Sequence, residues 1–425
     1  MADAFPDRSA IASSQLAQLR SLLGAIIPSN RFQAGKFSDP GLDKNVASLE
    51  EFCHRIPFTT KEEIVRDQLA SPPYGTNLTF ARESYTRFHQ TSGTTGTPVR
   101  WLDTPESWEW MVGNWRKIFE AADVGRHDRI LFAFSFGPFI GFWLAFDAGQ
   151  RIGALCLPGG GLSSVARLRI IFDNSVTVVC CTPTYAMRLG EVGLAEKFPL
   201  ETSPVRKIIV AGEPGGSVPA TRARLQKFWP GARILDHHGM TEVGPVTFEC
   251  PARHGVLHII ESAYLPEIVD AKSGRPVKPG QVGELVLTTL GRVGSPLLRY
   301  RTGDLVKQAS GGPVCSCGRF DLALENGILG RVDDMLVVRG VNVFPSAVED
   351  VLRGFPEVLE YQVRVGKNKT LPELSVKIEV SGAADEVSER VQTALQAAFS
   401  LRIPIEVMAR LPRFEMKAQR WIYES

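Results

Sequence analysis

The chain has almost no net charge, since 48 Lys and Arg against 46 Asp and Glu leave +2 over 425 residues. Without a basic surplus, nucleic acid or an anionic membrane has no electrostatic claim as main partner. Cysteine is scarce too, with seven scattered residues. An odd, dispersed set does not make a disulfide framework, and a reducing cytoplasm is the expected setting. The opening MADAFPDRSAIASS has no basic start followed by an apolar run, so no secretory signal is expected. One stretch, ILFAFSFGPFIGFWLAF at 130–146, mimics a membrane span, but Ser135, Gly137, Pro138 and Gly141 interrupt it. It reads better as a buried strand, a Gly-Pro turn and the start of a buried helix. Internal repeats and low-complexity segments are absent from the sequence.

Apolar residues make up 44% and charged residues 22%, enough for a buried core, and the length points to two domains. The first 85 residues read as helices and loops, with TTKEEIVRDQLA a helix opened by a Thr cap and early glutamates. DTPESWEWMVGNWRKIFEAADV begins at a Thr-Pro cap. Apolar strands then alternate with helices: RILFAFSF, RIGALCLPGG, VTVVCCTP, KIIVAGEP and ARILDHHG. This pattern predicts a parallel α/β architecture whose ligands gather at the carboxyl ends of the strands. From about 256, LHIIESAYLPEIVD and GELVLTTL predict strands of a smaller β subdomain. After GRVDD at 330–334 the pattern restarts as a compact α+β unit. The expected boundaries are therefore 1–332 and 333–425.

HQTSGTTGTPVRW, at 89–101, packs hydroxyls and glycines into a short loop. Glycines let the backbone present N–H groups and hydroxyls add donors, a neutral cradle for phosphate, though without the Gly-Lys-Ser/Thr of a P-loop. Alone, such a cluster is commonly a surface loop. It is followed in order by AGEP (211–214), HHGMTE (237–242), RYRTGD (299–304), GRVDDMLVVRG (330–340) and PRFEMKAQR (412–420). The ordered series resembles the adenylate-forming superfamily of acyl-CoA ligases, luciferases and adenylation domains. AGEP, RYRTGDL and GVNVFPSAVEDVL are most similar to its phenylacetate–CoA ligase branch.

The resemblance implies a large N-terminal AMP-binding domain of α/β subdomains plus a β subdomain, and a small mobile C-terminal lid. Ser92, Gly93, Thr94 and Thr95 would grip ATP phosphates. Glu213 and Pro214 would lie along the adenine, with Asp236, His237 and His238 beside the nucleotide and Asp304 on the ribose hydroxyls. Thr241 and Glu242 would contact phosphate and Mg²⁺, Lys417 would bridge carboxylate and α-phosphate, and Asp333, with Arg331 beside it, would be the hinge. Arg339 and Gly340 would face the second-step tunnel. Such groups suit the chemistry, because a carboxylate attacking a polyanion needs positive charge at the transition state. Three positions depart from the pattern: Thr97 for lysine, His238 for tyrosine and Met416 for glycine.

FSFGPFIGFW falls where this superfamily builds its acyl pocket, so Phe136, Phe139 and Ile140, with Ala211, Gly212, Gly239 and Pro245, are expected to form a flat apolar slot for an aromatic ring. Phe132 and Phe134 alternate as core residues of a strand. Cys250, His258, Cys315 and Cys317 offer four ligands of the kind structural zinc prefers, with His254 as substitute for His258. Cys156, Cys180 and Cys181 are expected in the core. The leading reading is an ATP-dependent aromatic acid–CoA ligase using ATP, Mg²⁺ and coenzyme A, on a benzoate, an aminobenzoate or phenylacetate. Transfer to the phosphopantetheine of an acyl carrier protein is the alternative, and an adenylate-sensing module the non-enzyme reading. A homodimer is a candidate assembly on which the sequence is silent.

Overall fold

Side chains placed just ahead of the helices set where they begin. Thr60 accepts from the backbone of Glu63 while the Glu63 carboxylate accepts from Thr60, a reciprocal cap opening Lys61–Ala70. Thr104 caps Pro105–Ala121, with proline at the first position, where its missing N–H costs nothing. Thr182 caps Pro183–Ala195 in the same way. The computed structural model describes residues 5–37, 46–91, 98–138, 140–312, 314–334, 336–338, 341–368, 371–413 and 420–423. They form two units, Met1–Gly160 with His237–Gly327, and Gly161–Asp236 with Ile328–Ser425.

In the first unit, Arg8–Ile26 buries Leu19, Leu22, Leu23 and Ile26 against Phe52, Ile56, Leu265, Leu290 and Leu298. Strands Tyr264–Val269, Val282–Thr289 and Tyr300–Lys307 pair antiparallel. So do Thr247–Glu249, Val256–Ile259 and Ala323–Glu325. Arg129–Phe132 and Leu155–Pro158 pair in parallel through the helix Trp143–Arg151. In the second unit, Val178–Cys181, Lys207–Val210 and Arg233–Asp236 run parallel, joined by the helices Pro183–Ala195 and Pro219–Phe228. Val358–Asn368 and Leu371–Val380 form an antiparallel pair, flanked in parallel by Trp421–Tyr423 and Ile405–Met408. Val348, Leu352, Val387, Val391 and Leu395 from two helices pack with Val363, Val376 and Ile378 of these strands.

The α/β class is as the alternating strands and helices predict. The apolar run at 130–146 divides into a strand end, a turn and a helix start, and among the described residues no single helix is long and apolar enough to cross a membrane. Two expectations change in detail. The strand in RILFAFSF stops at Phe132, so Phe134 lies beyond it, in a stretch that belongs to no strand. Cys180 and Cys181 are fully buried, but Cys156 is only partly so, on a strand that exposes Leu155.

Candidate functional site

The Ser/Thr/Gly loop joins two antiparallel strands, Arg87–Gln90 and Arg100–Asp103. At its described ends Thr91 N–H donates to Val99 O at 2.9 Å, and Val99 N–H donates to Thr91 Oγ1 at 3.0 Å. Ser92, Gly93, Thr94, Thr95 and Thr97 lie outside the described residues, as do Phe139, Arg339, Gly340, Met416 and Lys417.

The first unit gathers the HHGMTE and RYRTGD residues. The adjacent histidines have separate fates. His237 bonds Thr247 O through Nδ1 at 2.8 Å and meets Trp115 edge-on at 4.6 Å. Burial pushes its imidazole down to about 3, so it is neutral. His238 instead turns Nε2 to Asp304 Oδ2 at 3.1 Å. Asp304 is buried, and its backbone N–H donates to Thr302 Oγ1. Glu242 is buried too, and Lys61 Nζ stands 3.6 Å from its Oε1. Arg292, fully buried, grips both oxygens of Asp103 at 2.7 Å and donates to the carbonyls of Thr241 and Glu242 at 2.9 and 2.7 Å. One guanidinium thereby holds the backbone from which the two expected phosphate and metal contacts project. Sequence reading missed both Arg292 and Lys61. Lys61 had a weak signal as the first residue of a well-capped helix; Arg292 sits in GRVGSP with none.

The second unit carries the AGEP turn. Gly212 (φ +93) and Gly215 (φ +148) hold backbone angles that side chains resist. Glu213 Oε1 accepts from Thr184 N–H at 2.9 Å. Asp236 ends its strand and accepts from the Ser217 hydroxyl. Arg331 Nε meets Asp333 Oδ1 at 3.1 Å, an exposed pair at the expected hinge.

The expected slot residues divide between the units. In the first, Phe136 belongs to an aromatic cluster with Phe134 at 4.6 Å, Trp143 at 4.7 Å and Phe146 at 5.6 Å. Ile140 and Pro245 are buried, and Gly239 packs so closely that a Cβ there would sit 2.9 Å from Gly244 O. Ala211 and Gly212 belong to the second unit.

One atom from each of Cys250, His258, Cys315 and Cys317 lies within 4.8 Å of the others. His254, the other histidine considered, is outside the group and exposed beside Glu249. Cys250 and Cys315 sulfurs stand 3.6 Å apart and Cys317 Sγ is 3.4 Å from His258 Nε2. A tetrahedral zinc with bonds of 2.0 to 2.3 Å has ligand–ligand edges of roughly 3.5 to 3.8 Å, so the donor set fits. His258 Nδ1 is held by Asp321 O at 3.1 Å, which leaves Nε2 for the thiols. Burial pushes the Cys250 thiol up to about 12, which a cation in its place would reverse.

The AMP-binding enzyme family model matches residues 81–291, and that of the AMP-binding enzyme C-terminal domain matches 340–424. A phenylacetate-coenzyme A ligase of Thermus thermophilus is 33% identical over 378 residues, 88% of this chain and 82% of that protein. One from Escherichia coli is 32% identical over 385 residues, 86% of this chain and 84% of that protein. Among solved structures, 2-hydroxyisobutyryl-CoA ligase in the postadenylation state with 2-HIB-AMP shares the fold. Its TM-score is 0.93 at 24% identity, over 99% of this chain and 91% of that one.

Proposed function

The chain belongs to the AMP-binding enzyme family as an AMP-forming CoA ligase of the phenylacetate–CoA ligase-like branch, and from that premise we propose that it activates an aromatic carboxylic acid. A benzoate, an aminobenzoate or an arylacetate is joined to AMP with release of pyrophosphate, and the thiol of coenzyme A then displaces AMP. The reading is carried by two buried carboxylates, Glu242 and Asp304, standing at the motif positions that need them.

Glu242 presents a buried carboxylate beside a threonine hydroxyl, oxygen donors that a hard divalent cation takes. Mg²⁺, when bound, neutralises phosphate charge at the transition state. Arg292 fixes the Thr241–Glu242 backbone, so these groups need no reorganisation as charge develops. Asp304 accepts from the ribose hydroxyls, Glu213 and Pro214 border the adenine, and Lys417 bridges carboxylate and α-phosphate. Lys61, beside Glu242, supplies positive charge that Thr97 does not. Residues 333–425 act as the lid, turning at Asp333 between the two steps. The cysteine and histidine cluster would hold a structural zinc through four protein side chains. The setting proposed is the cytoplasm.

The test is ATP–pyrophosphate exchange with a panel of aromatic carboxylates and Mg²⁺, without coenzyme A. Exchange with one aromatic acid is expected. Exchange with aliphatic acids alone would overturn the aromatic assignment, and none with any acid would favour an adenylate sensor.

A further inference from the structure

Thr184 makes two hydrogen bonds that serve different parts of the second unit. It lies in the first turn of Pro183–Ala195, where backbone N–H groups have no partner within the helix. Its N–H donates to Glu213 Oε1 at 2.9 Å, so the positive end of the helix faces a carboxylate. Its hydroxyl accepts from Arg420 Nη1 at 3.2 Å. Thr184 and Arg420 are both buried. Arg420 holds Glu360 through Nε at 2.8 Å and Nη2 at 3.3 Å, and Glu360 also takes Arg353 Nη2 at 3.1 Å. Both other nitrogens of Arg420 are committed to Glu360, and Nη1 spans to Thr184. Arg420 leads directly into the strand Trp421–Tyr423, and it follows Lys417 by three residues.

We propose that Thr184 is a positioning residue for the adenylation half-reaction, tying the AGEP carboxylate to the C-terminal strand. The inference rests on the function proposed above, in which Glu213 borders the adenine and the lid turns between steps. Thr184 acts through Glu213 on one side and Arg420 on the other. A bond between these two stretches serves the first step, when both attend the nucleotide. The second step, after the lid has turned, does not use it.

Thr184→Val keeps the backbone N–H and the volume but removes the hydroxyl, and leaves the Arg420–Glu360 pair in place. Thr184→Ser keeps the hydroxyl. Each full-length variant is assayed for ATP–pyrophosphate exchange with the acid that the wild type uses, and separately for thioester formation from supplied acyl-adenylate and coenzyme A. Losing one hydrogen bond to a charged group should slow exchange about tenfold in the valine variant. The serine variant should exchange like the wild type, and both variants should form thioester at the wild-type rate. Unchanged exchange in the valine variant would overturn the inference, as would an equal fall in both half-reactions. A wild type that exchanges with no acid would remove the underlying reading, whereas wild-type exchange with an unaffected valine variant removes this inference alone.

Discussion

Two neighbouring histidines show how far a residue's surroundings outweigh its type. His237 is closed in by Trp115 and Thr247, and His238 faces a carboxylate. Because burial lowers the His237 value, the unfolded chain takes up a proton that the folded one refuses. Stability from this group is complete above about pH 6.5 and is lost as the pH falls toward about 3. At pH 5 the loss is roughly 2 kcal/mol. Urea unfolding from pH 8 to 5 should show a shallower decline for His237→Gln than for the wild type; parallel slopes would contradict the assignment. Arg292 is a second case, since its removal strands Asp103 in a fully buried site. Arg292→Met should cost about 3 to 5 kcal/mol in the same measurement, with much of it regained when Asp103→Leu is added. Neither Arg292 nor Thr184 was legible in the sequence, because each acts through partners far along the chain. The motif carboxylates could be singled out because they travel in ordered company.

Elements were easier to read than their joints. The caps at Thr60 and Thr104 and the helix and strand alternation follow from local pattern, since caps act within three or four residues. Where the chain leaves a ladder is less local, as Phe134 shows. The turn after Glu242 adds a constraint of its own. Gly244 has φ +88, and a Cβ there would lie 2.8 Å from Met111 Sδ. Gly244→Ala should therefore cost about 1 to 3 kcal/mol. Gly280 has a similar angle (φ +82) with open space around it, so Gly280→Ala isolates the backbone share. If thermal unfolding shows equal losses for the two variants, crowding by Met111 contributes nothing.

At the scale of the molecule, the zinc proposal concerns stability. Cys250 and Cys315 are 65 residues apart in sequence, so one ion would clip a long loop of the first unit. Protein purified in zinc-supplemented medium should carry about one zinc per chain. Cys315→Ser should abolish that content and lower the midpoint of thermal unfolding, while pyrophosphate exchange persists at lower temperature. Metal-free wild-type protein would end the idea. Spacing alone had left His254 and His258 open, and the fold puts His258 beside the thiols and His254 at the surface. That Gly161–Asp236 groups with Ile328–Ser425, interleaving the two units along the chain, is a long-range feature of the kind that local pattern does not state. That interleaving bears on synthesis at the ribosome. The first unit lacks its last segment until residue 327 has emerged, yet each sheet is built from strands close together in the sequence. Strands can therefore pair as they are made while faces that pack on later segments stay uncovered, and chaperone protection of those faces matters more than for a chain that folds domain by domain.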